Sequence, residues 1–82
     1  MKRNLYMFAW SKKNKQMESG LVEFYPQLYF SFKMRVRLNI DRNILIFAII
    51  ITEEEAAILK QEINEGNPNI YQHLVELGAV QI

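Results

Sequence analysis

Eighty-two residues, half of them hydrophobic and none a cysteine, make one small domain (residues 1–82) with no disulfide framework and no thiolate metal site. The formal net charge is only +1, yet residues 1–42 carry nine of the ten lysines and arginines against three acids, while residues 43–82 carry one lysine against six glutamates. A basic half followed by an acidic half points to an anionic partner or to self-complementary association. Small domains often supplement a thin core by oligomerising, so a homodimer is the expected state.

The chain opens on MKRNLYMFAWSKK, which imitates a signal peptide in its order of charge and apolarity. Its apolar part, residues 5–10, is shorter than the usual h-region of about 7 or more, and basic residues follow where a small-residue cleavage site belongs. No run reaches the roughly 18 apolar residues of a membrane span. The chain therefore reads as cytoplasmic, with no membrane partner. Residues 4–10, rich in β-formers, predict a strand with Tyr6, Phe8 and Trp10 on one face and Leu5, Met7 and Ala9 on the other. Residues 11–20, which include Lys12, Lys13 and Lys15, predict a long exposed hairpin loop. LVEFY, residues 21–25, predicts a second strand that Pro26 ends or marks as an edge.

The next segment, LYFSFKMRVRLNID (residues 28–41), alternates without error. Leu28, Phe30, Phe32, Met34, Val36, Leu38 and Ile40 form one row; Tyr29, Lys33, Arg35 and Arg37 stand in the other. Period two predicts a long strand whose even row faces the core and whose other face is a cationic stripe. Residues 39–43 predict a tight turn, and ILIFAIII (residues 44–51) a strand apolar on both faces, hence central or covered twice. A two-residue turn at Asp41 and Arg42 would pair Ile40 with Asn43, Leu38 with Leu45, Val36 with Phe47 and Met34 with Ile49. Arg37 would then lie beside Ile46, and Lys33 beside Ile50.

A helix follows. Thr52 is its N-cap, Glu55 completes a capping box, and Glu53, Glu54 and Glu55 sit in the first turn where the helix dipole favours negative charge. Ala56, Leu59 and Ile63 recur at helical spacing, and Gly66 ends the helix. A second helix is predicted with Asn67 as cap, Pro68 in the first position, Ile70, Leu74 and Leu77 on one stripe, and Gly78 as its stop. AVQI adds a short edge strand or a tail. The expected fold is α+β: an antiparallel sheet of about four strands, then two C-terminal helices packed on one face.

Catalytic chemistry finds little here. The chain has three serines, one histidine and one aspartate, and no glycine–serine elbow surrounds any serine. His73, at the edge of an apolar helical stripe, reads as a packing residue. Glu53 to Glu55 splay about 100° apart on a helix and cannot converge on one metal ion. The three glycines are dispersed, so no phosphate loop exists. No enzyme, cofactor or metal is expected.

The stretch AIIITEEEAAILKQEI, residues 48–63, resembles the strand-into-helix junction of the positive-cofactor-four type of single-strand-DNA binders. That resemblance implies a curved sheet, a C-terminal helix and a dimer. The second helix departs from the pattern, and none of the family's basic motifs can be laid onto this sequence.

The expected function is therefore a small non-enzymatic binding protein acting through protein contacts, of the accessory or inhibitory kind common among viral and mobile-element chains. Lys33, Arg35 and Arg37 are its expected contact residues, with Arg42, Lys12, Lys13 and Lys15 as reinforcement. The alternative is single-stranded nucleic-acid binding, with those cations following phosphates and Tyr29, Tyr6, Phe8 and Trp10 stacking on bases.

Overall fold

A computed structural model describes residues 2–38, 40 and 42–82. It contains five antiparallel strands and three helices in an α+β arrangement. The order is β1 (Arg3–Ser11), β2 (Gln16–Met17), β3 (Val22–Glu23), α1 (Pro26–Arg37), β4 (Ile44–Thr52), α2 (Glu53–Asn64), α3 (Ile70–Glu76) and β5 (Val80–Gln81). Strands β1 and β4 form the centre, paired along their whole length from Arg3 opposite Thr52 to Ser11 opposite Ile44. β5 flanks β4, and β2 and β3 flank β1.

The first strand is as predicted, and apolar on both faces. The loop expected at 11–20 is shorter. A tight turn at 12–15, in which Ser11 Oγ accepts from the Asn14 N–H and Lys15 takes φ 52°, returns the chain into β2. β2 and β3 act as one edge strand broken by a bulge. Trp10 lies opposite Met17 and Tyr6 opposite Glu23, so four steps along β1 face six along its partner. At the bulge the Ala9 carbonyl accepts from the N–H groups of both Glu18 and Ser19, and the Ala9 N–H donates to Ser19 Oγ.

The segment predicted as a long strand is instead a helix, α1. Several physical facts outweigh its alternation. Both sides of β1 and the outer side of β4 are taken by other strands, leaving no place for the hairpin partner that residues 28–38 would have made. Leu45, Phe47 and Ile49 pair with Trp10, Phe8 and Tyr6, and not with Leu38, Val36 and Met34. Pro26 stands at the first helical position, where its fixed φ suits a helix start, and Tyr25 before it is extended. A central pair of strands apolar on both faces also needs two covering layers, and only α1 supplies the second. Of the turn predicted at 39–43, Asn39 and Asp41 lie outside the described residues.

Helices therefore cover both faces of the sheet. On one, Tyr6, Phe8, Phe47, Ile49 and Ile51 pack under α2 and α3 through Ala56, Leu59, Ile70 and Leu74. On the other, Met7, Ala9, Ile44 and Ile46 pack under α1 through Phe32, with Leu28, Tyr29 and Val36 at the border. The two C-terminal helices share one face, as the sequence predicts. Their ends are also as expected: α2 closes with Asn67 N–H donating to Glu62 O and Gly66 N–H to Ile63 O, Gly66 taking φ 75°. α3 begins slightly later than predicted. Asn67 heads a turn in which its Oδ1 accepts from the Asn69 N–H, and Asn69 is the N-cap.

The capping box at the start of α2 is complete: Thr52 Oγ1 accepts from the Glu55 N–H at 3.1 Å, and Glu55 Oε1 accepts from the Thr52 N–H at 3.0 Å. The Thr52 N–H, and after it the Thr52 hydroxyl, hold the Glu55 carboxyl below its usual range. A depressed folded pKa means that this contribution is complete above the ordinary glutamate range and is lost as pH falls through the folded value. Thr52→Ala is expected to cost about 1 kcal/mol in urea unfolding at neutral pH. Thr52→Ser should retain most of that stability, and a loss as large as that of alanine would show that packing, not capping, sets the value.

Candidate functional site

On an α-helix two residues subtend about 200°, so an alternating row is split between opposite sides. Every second member of the even row then recurs at i, i+4 and i+8. Leu28, Phe32 and Val36 turn inward to the sheet. Phe30, Met34 and Leu38 form a second stripe directed outward, with Phe30 63% and Leu38 59% exposed. Lys33 and Arg37, also i and i+4, border this stripe, and a groove of about 400 Å³ runs along it between Tyr29, Phe30, Lys33, Met34 and Arg37. The helix contains no acid. Its outer surface is an apolar stripe with a cationic margin.

The cationic row itself does not exist as predicted. Lys33 and Arg37 share one side of α1, but Arg35 lies on the opposite side, over the Phe32 ring and 3.4 Å from Glu18 Oε1 at the bulge. Lys33 leans the other way: its Nζ is 5.5 Å from the Tyr29 ring centroid and donates to the Ile82 carbonyl beside β5. Arg35 and Lys33 thus reach the two margins of the sheet from one helix, and neither borders a strand row of Ile46 and Ile50. Ile46 is buried under α1, while Ile50 is exposed.

Lys12, Lys13, Lys15 and Arg42 are all exposed at the end of the sheet where β1 finishes and β4 begins. The Lys12 N–H donates to the Asn43 carbonyl at 2.8 Å, which joins the hairpin turn to the segment leading into β4. Because α1 must connect to Ile44, its C-terminal turn with Arg37 is at this same end. The fold therefore gathers these cations at one pole, although not in a stripe.

The aromatic residues considered for base stacking are engaged elsewhere. Tyr6 and Phe8 are buried. Phe8 stacks on Phe47 at 5.0 Å, Phe47 meets Tyr71 edge-on at 5.6 Å, and Tyr71 stacks on Trp10 at 4.4 Å. Tyr29 is half-buried beside Phe24.

The helical layer on the other side of the sheet has the opposite character. Residues Glu54, Ile58, Gln61 and Glu65 recur at helical spacing on the exposed side of α2, with Ile58 60% exposed and Gln61 Nε2 donating to Glu65 Oε1. Lys60, the one cation of the acidic half, has its Nζ 5.8 Å from the Tyr6 ring centroid, turned toward the sheet. His73 Nδ1 lies 3.2 Å from Glu62 Oε2 and ties α3 to α2. Among the described residues no group of three His, Asp or Glu side chains could hold a metal ion, and no helix is long and apolar enough to cross a membrane.

No family model, curated protein or solved structure matches this chain. The likeness of residues 48–63 to a single-strand-DNA binder accordingly extends no further than one strand and one capped helix.

Period two points to a strand and so conceals the outward stripe in the sequence. The signal for it was Pro26, together with the i, i+4, i+8 spacing hidden inside the alternation.

Proposed function

We propose that this protein is a non-enzymatic binding protein that acts through protein contacts made by the outer face of α1. One observation carries the reading: Phe30, Met34 and Leu38 form a continuous apolar stripe on a helix already packed through its other side, bordered by Lys33 and Arg37. Helices with two apolar sides bury both, and interface centres favour aromatic residues, Met and Arg. The partner surface is apolar with an acidic margin. Phe30→Asp is expected to abolish self-association or partner binding, measured as molar mass by light scattering across a hundredfold range of concentration. Binding as tight as that of the parent chain would refute the surface.

A second reading rests on the cationic pole formed by Lys12, Lys13, Lys15 and Arg42, which suits a nucleic-acid backbone. It is less favoured, since Tyr6, Phe8 and Trp10 are committed to packing and supply no stacking platform. The two readings separate by fluorescence anisotropy of a labelled single-stranded oligonucleotide at low and moderate salt. The protein-contact reading expects no rise; a salt-sensitive rise removed by Lys12→Glu with Lys13→Glu would favour nucleic acid.

A further inference from the structure

Resting on the reading that α1 presents a contact surface, we infer that its occupant is α2 of a second copy of this chain, and that the copies join head to tail. Part of the charge asymmetry of the sequence becomes, in the folded molecule, an asymmetry between opposite faces. On one side of the sheet stands α1, with no acid and with Lys33 and Arg37 beside an apolar stripe. On the other stands α2, whose outward stripe is Glu54, Ile58, Gln61 and Glu65 and whose single lysine is turned to the Tyr6 ring. Each surface centres on an exposed apolar side chain, Phe30 on one and Ile58 on the other. Each has the charge the other lacks. Desolvating the lysine and arginine against glutamates also avoids the repulsion that an antiparallel two-fold pairing of α1 with α1 would create, since such a pairing sets both cationic margins on the same side.

The topology then dictates the form of the assembly. Because α1 and α2 cover opposite faces, a copy that meets α1 with its own α2 leaves its α1 directed away, ready for a third copy. A two-fold dimer that makes both contacts at once, attractive when the acidic helices and basic segment are considered without their positions, cannot be built from opposite faces. The contact is heterologous and grows as an open row.

The test is complementation in sedimentation velocity, at low and moderate salt. The parent chain should show an average mass that rises with concentration without levelling at two copies, and less so at higher salt. Phe30→Asp and Ile58→Asp should each be monomeric, with association weakened at least about tenfold. Mixed in equal amounts, they should form a pair that stops at two, because each supplies the surface the other has lost. Both positions are exposed, so both variants should fold, which circular dichroism verifies. Lys33→Glu with Arg37→Glu and, separately, Glu54→Lys with Glu65→Lys should each be monomeric alone, and their mixture should regrow the open row, because both contacts between the two chains are then complementary in charge.

A parent chain that remains monomeric at every concentration overturns the inference and leaves α1 free to serve a different protein. A plateau at two copies with Ile58→Asp unaffected overturns it in favour of an α1–α1 contact. Phe30→Asp that associates as the parent does sinks the underlying reading as well.

Discussion

Phe32→Ala is expected to cost about 3–5 kcal/mol of stability, and Phe30→Ala less than about 0.5 kcal/mol, although the two residues are two positions apart and chemically identical. Phe32 is 7% exposed and is the buried residue of α1, packed on Met7, Ala9, Ile44 and Ile46. Removing its ring opens a cavity beneath the helix, and the small neighbour Ala9 offers little to refill it. Phe30 is 63% exposed on the other side, where alanine has a better helix propensity than phenylalanine. On a strand both rings would point the same way and the two costs would be alike. Urea unfolding of the two variants under conditions where the chain is monomeric therefore tests the helix directly: similar losses would restore the strand.

Phe47→Ala should be comparably severe, at about 3–5 kcal/mol. Its ring is an inner member of the series Phe8, Phe47, Tyr71 and Trp10, which runs from the sheet to Tyr71 of α3 and back to β1. α3 has only seven residues, too few to be stable alone, and no side-chain hydrogen bond at its N-cap. Its position depends on Ile70, Leu74 and Tyr71 meeting the sheet. Without Phe47, Tyr71 loses its edge contact, and the Trp10 fluorescence should report a changed environment even in the folded protein. Unchanged emission together with a loss under about 1 kcal/mol would show that α3 is held by other contacts.

Much of the fold was legible where one local rule dominated. The capping box at Thr52 and Glu55, the glycine stops at Gly66 and Gly78, and the two faces of β1 each follow from side-chain chemistry within a few residues. Residues 28–38 were not legible in that way, because two rules gave different answers. Alternation fits a strand, and the same residues at every fourth position fit a helix. The decision was made elsewhere, by the pairing of β1 with β4 and by the bare second face of that pair. The candidate surface shares this origin. Lys33 and Arg37 were identified from their charge, but which residues accompany them depended on the secondary structure. Arg35 was separated from them by the 200° that two helical positions span, and Phe30, Met34 and Leu38 took the place assigned to it.

The manner in which α1 is held has a consequence for how the chain behaves before it is folded. Its N-cap Tyr25 makes no capping side-chain bond, the hydroxyl donating instead to Glu23 Oε2, its first turn contains no acid, and Tyr29, Phe30, Phe32 and Val36 are poor helix formers. Pro26, the basic last turn and the helix formers Gln27, Leu28, Lys33 and Met34 act the other way, but a helix of 12 residues is marginal alone. The helix is thus a product of docking. Released from the sheet, residues 28–38 have the alternation and the aromatic content of adhesive β-segments, opposed only by the mutual repulsion of Lys33, Arg35 and Arg37. Refolding is then a race between landing on Met7 and Ile46 of the same molecule and pairing with the corresponding segment of a neighbour. The first is unimolecular and the second is not, so dilution, more than temperature, governs the yield of native protein.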